Sequence, residues 1–204
     1  MTQVITSMND LAQLYGEPGA ATMAKDIDYL NGHYQQLIEK SPFVVIATIG
    51  EKGIDCSPRG DPAGFVKILD NKTLLIPDRR GNNRLDTLKN LINDSRISLF
   101  FMIPGVGETF RVKGEAELSI DPEYINQFKM NGKLPTCIIK VHIHHAYYQC
   151  QKALARSKLW DPNTWIDRSE LPTAGEMLKE FAARDFDQQA YDKEYPARMK
   201  KTLY

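Results

Sequence analysis

Two periods run through the hydrophobic and polar positions of this chain, and the period of strands dominates. Phe43-Val44-Val45-Ile46-Ala47-Thr48-Ile49 is β-branched and nearly all apolar, the pattern of a buried strand, and Glu51-Lys52-Gly53 after it has the composition of a hairpin turn. Residues 54–58 read as the returning strand. Residues 64–69 and 73–76 flank Asp70-Asn71-Lys72 and predict a second hairpin. Further strands are predicted over 95–103, 109–119 and 136–148. Helical spacing appears in three places. Ile27, Leu30, Tyr34, Leu37 and Ile38 recur between polar residues over 22–40, until Ser41-Pro42 stops the run. Leu85, Leu88, Leu91 and Ile92 form a shorter repeat closed by Asn93-Asp94, and Asp121-Pro122 opens a helix carrying Ile125 and Phe128. From Gln151 onward the chain is helical and polar, with Trp160 and Trp165 on a proline-interrupted segment.

Six or more consecutive strands, mostly joined by short turns, predict a mainly β fold with flanking helices, an antiparallel barrel rather than a parallel sheet. The barrel domain is expected over residues 22–165, with an N-terminal extension over 1–21 and a helical C-terminal extension over 166–204. No strand is followed by a glycine-rich dinucleotide fingerprint, and no phosphate loop ending in Gly-Lys-Ser/Thr is present.

Composition narrows the function classes. The charge balance of 26 Lys and Arg against 26 Asp and Glu argues against a dedicated nucleic-acid binder. No run approaches the roughly eighteen apolar residues of a membrane span. Met1-Thr2-Gln3-Val4-Ile5-Thr6 lacks the layout of a secretory signal, so a cytoplasmic location is expected. Cys56, Cys137 and Cys150 are too few and too far apart for a disulfide framework or a zinc site, and read as reduced thiols. Cys56 has no recognisable base partner for a nucleophilic role. His142 and His144 share one face of a strand beside His145, but no carboxylate or cysteine visibly converges on them, and no metal is expected.

Against that neutral background, arginine is concentrated locally. Ser57-Pro58-Arg59-Gly60-Asp61 and Asp78-Arg79-Arg80-Gly81-Asn82-Asn83-Arg84 each follow an apolar run. Guanidinium groups are forked donors suited to phosphate, and crowded together they repel unless an anion joins them. Asn82 or Asn83 is placed to cap the helix that follows, whose N-terminus favours a phosphate, with Arg84 in its first turn. The other reading of these residues is a set of surface pairs with Asp55, Asp61, Asp78 and Asp86.

Phe43 to Thr48, then Cys56-Ser57-Pro58-Arg59-Gly60-Asp61-Pro62-Ala63-Gly64-Phe65-Val66, then Ile76-Pro77-Asp78-Arg79-Arg80-Gly81-Asn82-Asn83-Arg84, resemble the pyridoxamine 5'-phosphate oxidase-like flavoproteins, with the nearest likeness to a bacterial FMN-binding branch. The resemblance extends through Phe101-Met102-Ile103-Pro104-Gly105 and Glu108 to Gly114, on to Ser157-Lys158-Leu159-Trp160-Asp161-Pro162, and covers roughly residues 20–165. It implies a split β-barrel that forms a homodimer, with two FMN molecules bound across the subunit interface. It implies that Arg59 and Arg84, with Asn83 beside them, hold the FMN phosphate. Ser57, Pro58, Asp78 and Arg79 would follow the ribityl chain and flavin ring, and Arg111 and Trp160 would reach the site, Arg111 and Trp160 coming from the partner chain. Ser157-Lys158-Leu159-Trp160 stands where the true pyridoxamine-phosphate oxidases carry an Arg-Leu-His-Asp-Arg-like segment. The implied activity is therefore an FMN-dependent oxidoreductase acting on another small molecule. A flavin-binding or flavin-sensing protein without turnover, and the same fold using haem or a deazaflavin, are the alternatives.

Overall fold

The computed structural model describes residues 4–204; the first three residues of the N-terminal extension lie outside it. Seven strands carry the fold: β1 (Phe43–Gly50), β2 (Gly53–Gly60), β3 (Lys67–Asp70), β4 (Thr73–Asp78), β5 (Arg96–Met102), β6 (Thr109–Ser119) and β7 (Cys137–Gln149). They form one sheet in the order β2-β1-β5-β6-β7-β4-β3, and every neighbouring pair is antiparallel. The mainly β, antiparallel class expected from the sequence is what the chain adopts.

Alternation decides which side is core. Val44, Ile46 and Thr48 of β1, and Ile97, Leu99 and Phe101 of β5, point inward and are buried. The apolar ones meet Phe110 and Val112 of β6, Val141, Ile143 and Ala146 of β7, and Leu74 and Ile76 of β4 in one cluster. Each valine, leucine, isoleucine or phenylalanine among them contributes about 1.5–3 kcal/mol on burial.

The sheet is strongly curled, and its own contacts prove it. β2 and β4 are five places apart in the strand order, which in a flat sheet separates them by about 24 Å. Yet Arg59 Nη2 on β2 lies 3.7 Å from Asp78 Oδ1 on β4. The sheet therefore rolls until these two strand ends face each other without pairing, as in a split barrel. A register shift between Lys113 and Gly114 marks a bulge where β6 meets β7. A Cβ on Gly114 would lie 1.9 Å from the His142 carbonyl oxygen, so only glycine fits there.

The described residues form eight α-helices: α1 (Met8–Leu14), α2 (Ala20–Ala24), α3 (Gly32–Lys40), α4 (Asp86–Asn93), α5 (Pro122–Ile125), α6 (Lys152–Ser157), α7 (Ala174–Lys179) and α8 (Gln188–Thr202). The continuous helix expected over 22–40 is broken between α2 and α3. Ile27 is instead paired with Ala146 of β7 through two backbone hydrogen bonds of 3.1 and 2.7 Å. The Asn31 side chain then caps α3 by accepting from Tyr34 N at 2.9 Å. α4 packs on β1, where Asn90 Nδ2 donates to Thr48 Oγ1 at 3.0 Å. α8 has no buried residue and is tied to α7 by Asp192, which accepts from Thr173 Oγ1 at 2.6 Å and Gly175 N at 2.8 Å. Among the described residues no helix is long and apolar enough to cross a membrane.

Candidate functional site

The β1–β2 hairpin sets the first side of the site. Its turn closes at Gly53, whose φ of +110° suits glycine, and the register then places Arg59 opposite Val44. β2 is an edge strand on which Asp55, Ser57 and Arg59 share the less exposed face while Cys56, Pro58 and Gly60 face outward. Pro58 has no N–H, which an edge position tolerates. An edge strand with polar residues on its inner side lines a cleft rather than a core.

β4 supplies the second side. It is buried throughout except at Asp78, which pairs with Cys137 of β7. Between the ends of β2 and β4 opens a cleft of about 830 Å³. Ser57, Pro58, Arg59, Asp78, Arg79, Asn83 and Arg84 all line it, together with Asp55, Asp61, Arg80 and Asp86. Two residues expected at the site lie elsewhere in the chain. Arg111 on β6 donates to Tyr147 Oη and Gln149 Oε1, both at 2.9 Å, and lies over the Phe100 and Tyr147 rings. Trp160 donates its indole N–H to the Val106 carbonyl at 2.9 Å.

Three of the four cleft arginines are paired, with Asp61, Asp78 and Asp86 of the four aspartates that the second reading of the sequence named. Arg59 Nη1 donates to Ser57 Oγ at 2.5 Å and to the Pro58 carbonyl at 3.0 Å, and its Nη2 faces Asp78. Arg79 Nε donates to Asp61 Oδ2 at 2.8 Å and its Nη1 to the Phe128 carbonyl at 2.8 Å. Arg84 Nε donates to Asp86 Oδ2 at 2.5 Å. These pairs differ in kind. The Asp61 carboxylate is 4% exposed, whereas the Arg84 side chain is 78% exposed. Arg80 is exposed and forms no ion pair among the described residues.

The helix start differs from the sequence expectation. Neither Asn82 nor Asn83 caps α4. Leu85 is the residue before its first turn, in the left-handed region at φ 60°, and Asn83 also has φ 60°. Arg84 therefore precedes the helix, and its backbone N–H donates to Asn82 Oδ1 at 3.0 Å. Two left-handed residues in three turn the loop back over the cleft.

Burial tunes the floor of the site. Desolvation raises the Asp78 carboxyl above its ordinary value, outweighing the opposing pull of Arg59. Burial, reinforced by the Asp78 charge and opposed by Arg59, pushes the Cys137 thiol up to about 11. His142 and His144 stack edge to face at 5.4 Å, and His145 Nδ1 lies 3.1 Å from Asp26 Oδ1. Among the described residues no group of three or more His, Cys, Asp or Glu is placed to hold a metal.

Tyr204 and Leu203 also line the cleft. Sequence reasoning missed them, because a polar tail far from either arginine turn carries no local signal of where it docks.

The sequence matches the family model for pyridoxamine 5'-phosphate oxidase over residues 30–150, more than half of its length, and the chain belongs to that family. No curated protein matches it. Among solved structures, HupZ from Group A Streptococcus is similar at 17% identity, over 59% of this chain and 94% of that one, with a TM-score of 0.48. General stress protein 26 from Bacillus anthracis is similar at 15% identity, over 57% and 91% of the two chains, with a TM-score of 0.44. An FMN-binding protein from Syntrophomonas wolfei is similar at 13% identity, over 57% and 88%, with a TM-score of 0.43.

Proposed function

We propose that this chain binds FMN in the cleft between β2 and β4 and works as an FMN-dependent oxidoreductase on a small molecule, as a cytoplasmic homodimer with flavin at the subunit interface. One observation carries the reading: seven residues that the family resemblance assigns to FMN converge on a single cleft of about 830 Å³. That volume lies within the roughly 300–1,000 Å³ of small-molecule sites.

The donor set fits a phosphorylated ligand. Four arginines and four aspartates line the cleft, so its formal charges cancel, and a phosphate meets a cation only where a guanidinium turns from its carboxylate or has none. The exposed Arg84–Asp86 pair is the one that opens cheaply, since such pairs are worth about 0–1 kcal/mol. Arg84 and the unpaired Arg80 are then available to a phosphate, with Arg59 at the other wall. Arg79, already committed to Asp61 and Phe128, keeps Nη2 for a ligand and otherwise holds the floor. Bound FMN would supply hydride and electron transfer, and the protein position and electrostatics. Arg111 and Trp160 lie outside the cleft of their own chain, and a second copy would bring them to it. The row Phe100, Arg111 and Tyr147, in register across β5, β6 and β7 and half-buried on the outer face, supports a subunit contact there.

Spectral titration of the purified protein with FMN and riboflavin tests this. Hydrogen bonds to charged groups contribute about 1.5–3 kcal/mol, so Arg84→Ala is expected to weaken FMN roughly 10- to 150-fold and riboflavin little. Equal losses for both ligands would mean that Arg84 does not meet the phosphate. A wild-type protein that takes up no flavin would sink the whole reading. Mixing the flavin-loaded protein with NADH or NADPH in stopped flow then separates turnover from mere binding.

A further inference from the structure

Beyond α8 the chain runs into the cleft, and Tyr204 is held at three points. The Tyr204 phenol donates to Asp61 Oδ1 at 2.8 Å, and the Tyr204 main-chain oxygen accepts from Lys133 Nζ. Its ring centroid lies 5.8 Å from the guanidinium carbon of Arg79. Asp61 is a demanding partner. Its carboxylate is almost fully buried and its other oxygen is occupied by Arg79, so Tyr204 completes the hydrogen bonding of a charge that water hardly reaches.

The element that delivers Tyr204 is otherwise weakly held. α8 buries no residue, and its other fixed point is its own Asp192, which accepts from Thr173 and Gly175 at the start of α7. A polar helix fastened near one end and latched at the other has the mechanics of a strap, because little apolar burial opposes its lifting. The cleft retains about 830 Å³ with Tyr204 in place. The tail therefore walls the cleft without filling it. A phenol ring beside a guanidinium also offers a planar surface of the kind on which fused aromatic rings pack.

We propose that α8 and the Leu203–Tyr204 segment form a retaining strap over the cleft, latched by Tyr204 on Asp61 and Lys133, and that the Tyr204 ring contacts the planar aromatic part of the bound ligand and slows its escape. This rests on the reading of the cleft as a flavin site, and it adds a residue that neither arginine turn contains.

Two measurements on the full chain test the strap separately from the flavin. In the first, hydrogen exchange of the ligand-free protein is compared with that of Tyr204→Phe, which removes one oxygen and leaves the ring. Faster exchange of the amides of residues 198–204 in the variant is the expected result, and unchanged exchange overturns the latch. In the second, FMN is displaced from the loaded protein and its dissociation followed by fluorescence. Tyr204→Phe, which loses the hydrogen bond to the charged Asp61, is expected to release FMN about tenfold faster than wild type, and Tyr204→Ala, which loses the ring as well, faster still. Release within about twofold of wild type in both variants overturns the strap and leaves the flavin reading intact. A wild-type protein that takes up no FMN overturns the flavin reading, and the strap then stands or falls on the exchange result.

Discussion

Cys137, Asp78 and Arg59 show at the scale of single residues how one position sets the chemistry of the next. Cys137 is 8% exposed beneath Asp78, and its thiol is held up at about 11 by burial and by the neighbouring carboxylate. A folded-state value above the ordinary 9.0 means the native protein keeps this proton more tightly than the unfolded chain does. The associated stability is present in full below pH 9.0 and is lost as pH rises through about 11. Iodoacetamide at pH 8 should therefore label the exposed Cys56 and Cys150 and spare Cys137, with all three labelled equally in denaturant. Labelling of Cys137 at the rate of the others in the folded protein would contradict its burial. The sequence displayed the arginines and aspartates of the site, but not who pairs with whom. Arg84 finds Asp86 two residues away, which local spacing permits. Arg79 finds Asp61 across 18 residues, and that choice follows only from the curl of the sheet.

Among the elements, strands were more legible than helices. β6 runs over Thr109–Ser119 as the alternation indicates, and β7 over Cys137–Gln149, close to the expected 136–148. Alternation survives folding because each strand has one face to bury. The 22–40 segment misleads because Ile27 and Leu30 sit at helical spacing by coincidence. Ile27 is consumed by a strand pairing with Ala146, an interaction with no local trace. The left-handed Leu85 is equally silent, since a non-glycine residue adopts that conformation only when its surroundings enforce it. The bulge at Gly114 gives the sharpest test at this scale. Gly114→Ala would drive a methyl group into the backbone carbonyl of His142, which cannot move without disturbing the β6–β7 ladder. The loss of stability is expected to reach about 2–3 kcal/mol, read as a lowered urea midpoint. An unchanged midpoint would mean that the strands pair differently there.

For the whole molecule, what closes the barrel is polar. No backbone ladder joins β2 to β4, and the Arg59–Asp78 and Arg79–Asp61 pairs span the gap instead. Asp61→Ala leaves the half-buried Arg79 without its carboxylate and also unlatches Tyr204. A loss of about 3–5 kcal/mol is expected in chemical denaturation, most of it recovered when Arg79→Leu is added. A single variant as stable as wild type would show that the gap closes without this pair. The number of strands and their short turns made a barrel legible in the sequence. The strand order was not, and neither was the docking of a tail that looked like an appendage. That order also governs how a newly made chain matures. β4 lies between β3 and β7, so Leu74 and Leu75 gain their second neighbour, and Ile76 its first, only when residues 137–149 have been synthesised. Until then a strand with the apolar run Leu74-Leu75-Ile76 waits with an open edge, the state most prone to stick to other chains. The arginines of the cleft exist early in synthesis, but the place that organises them is among the last parts of the protein to be built.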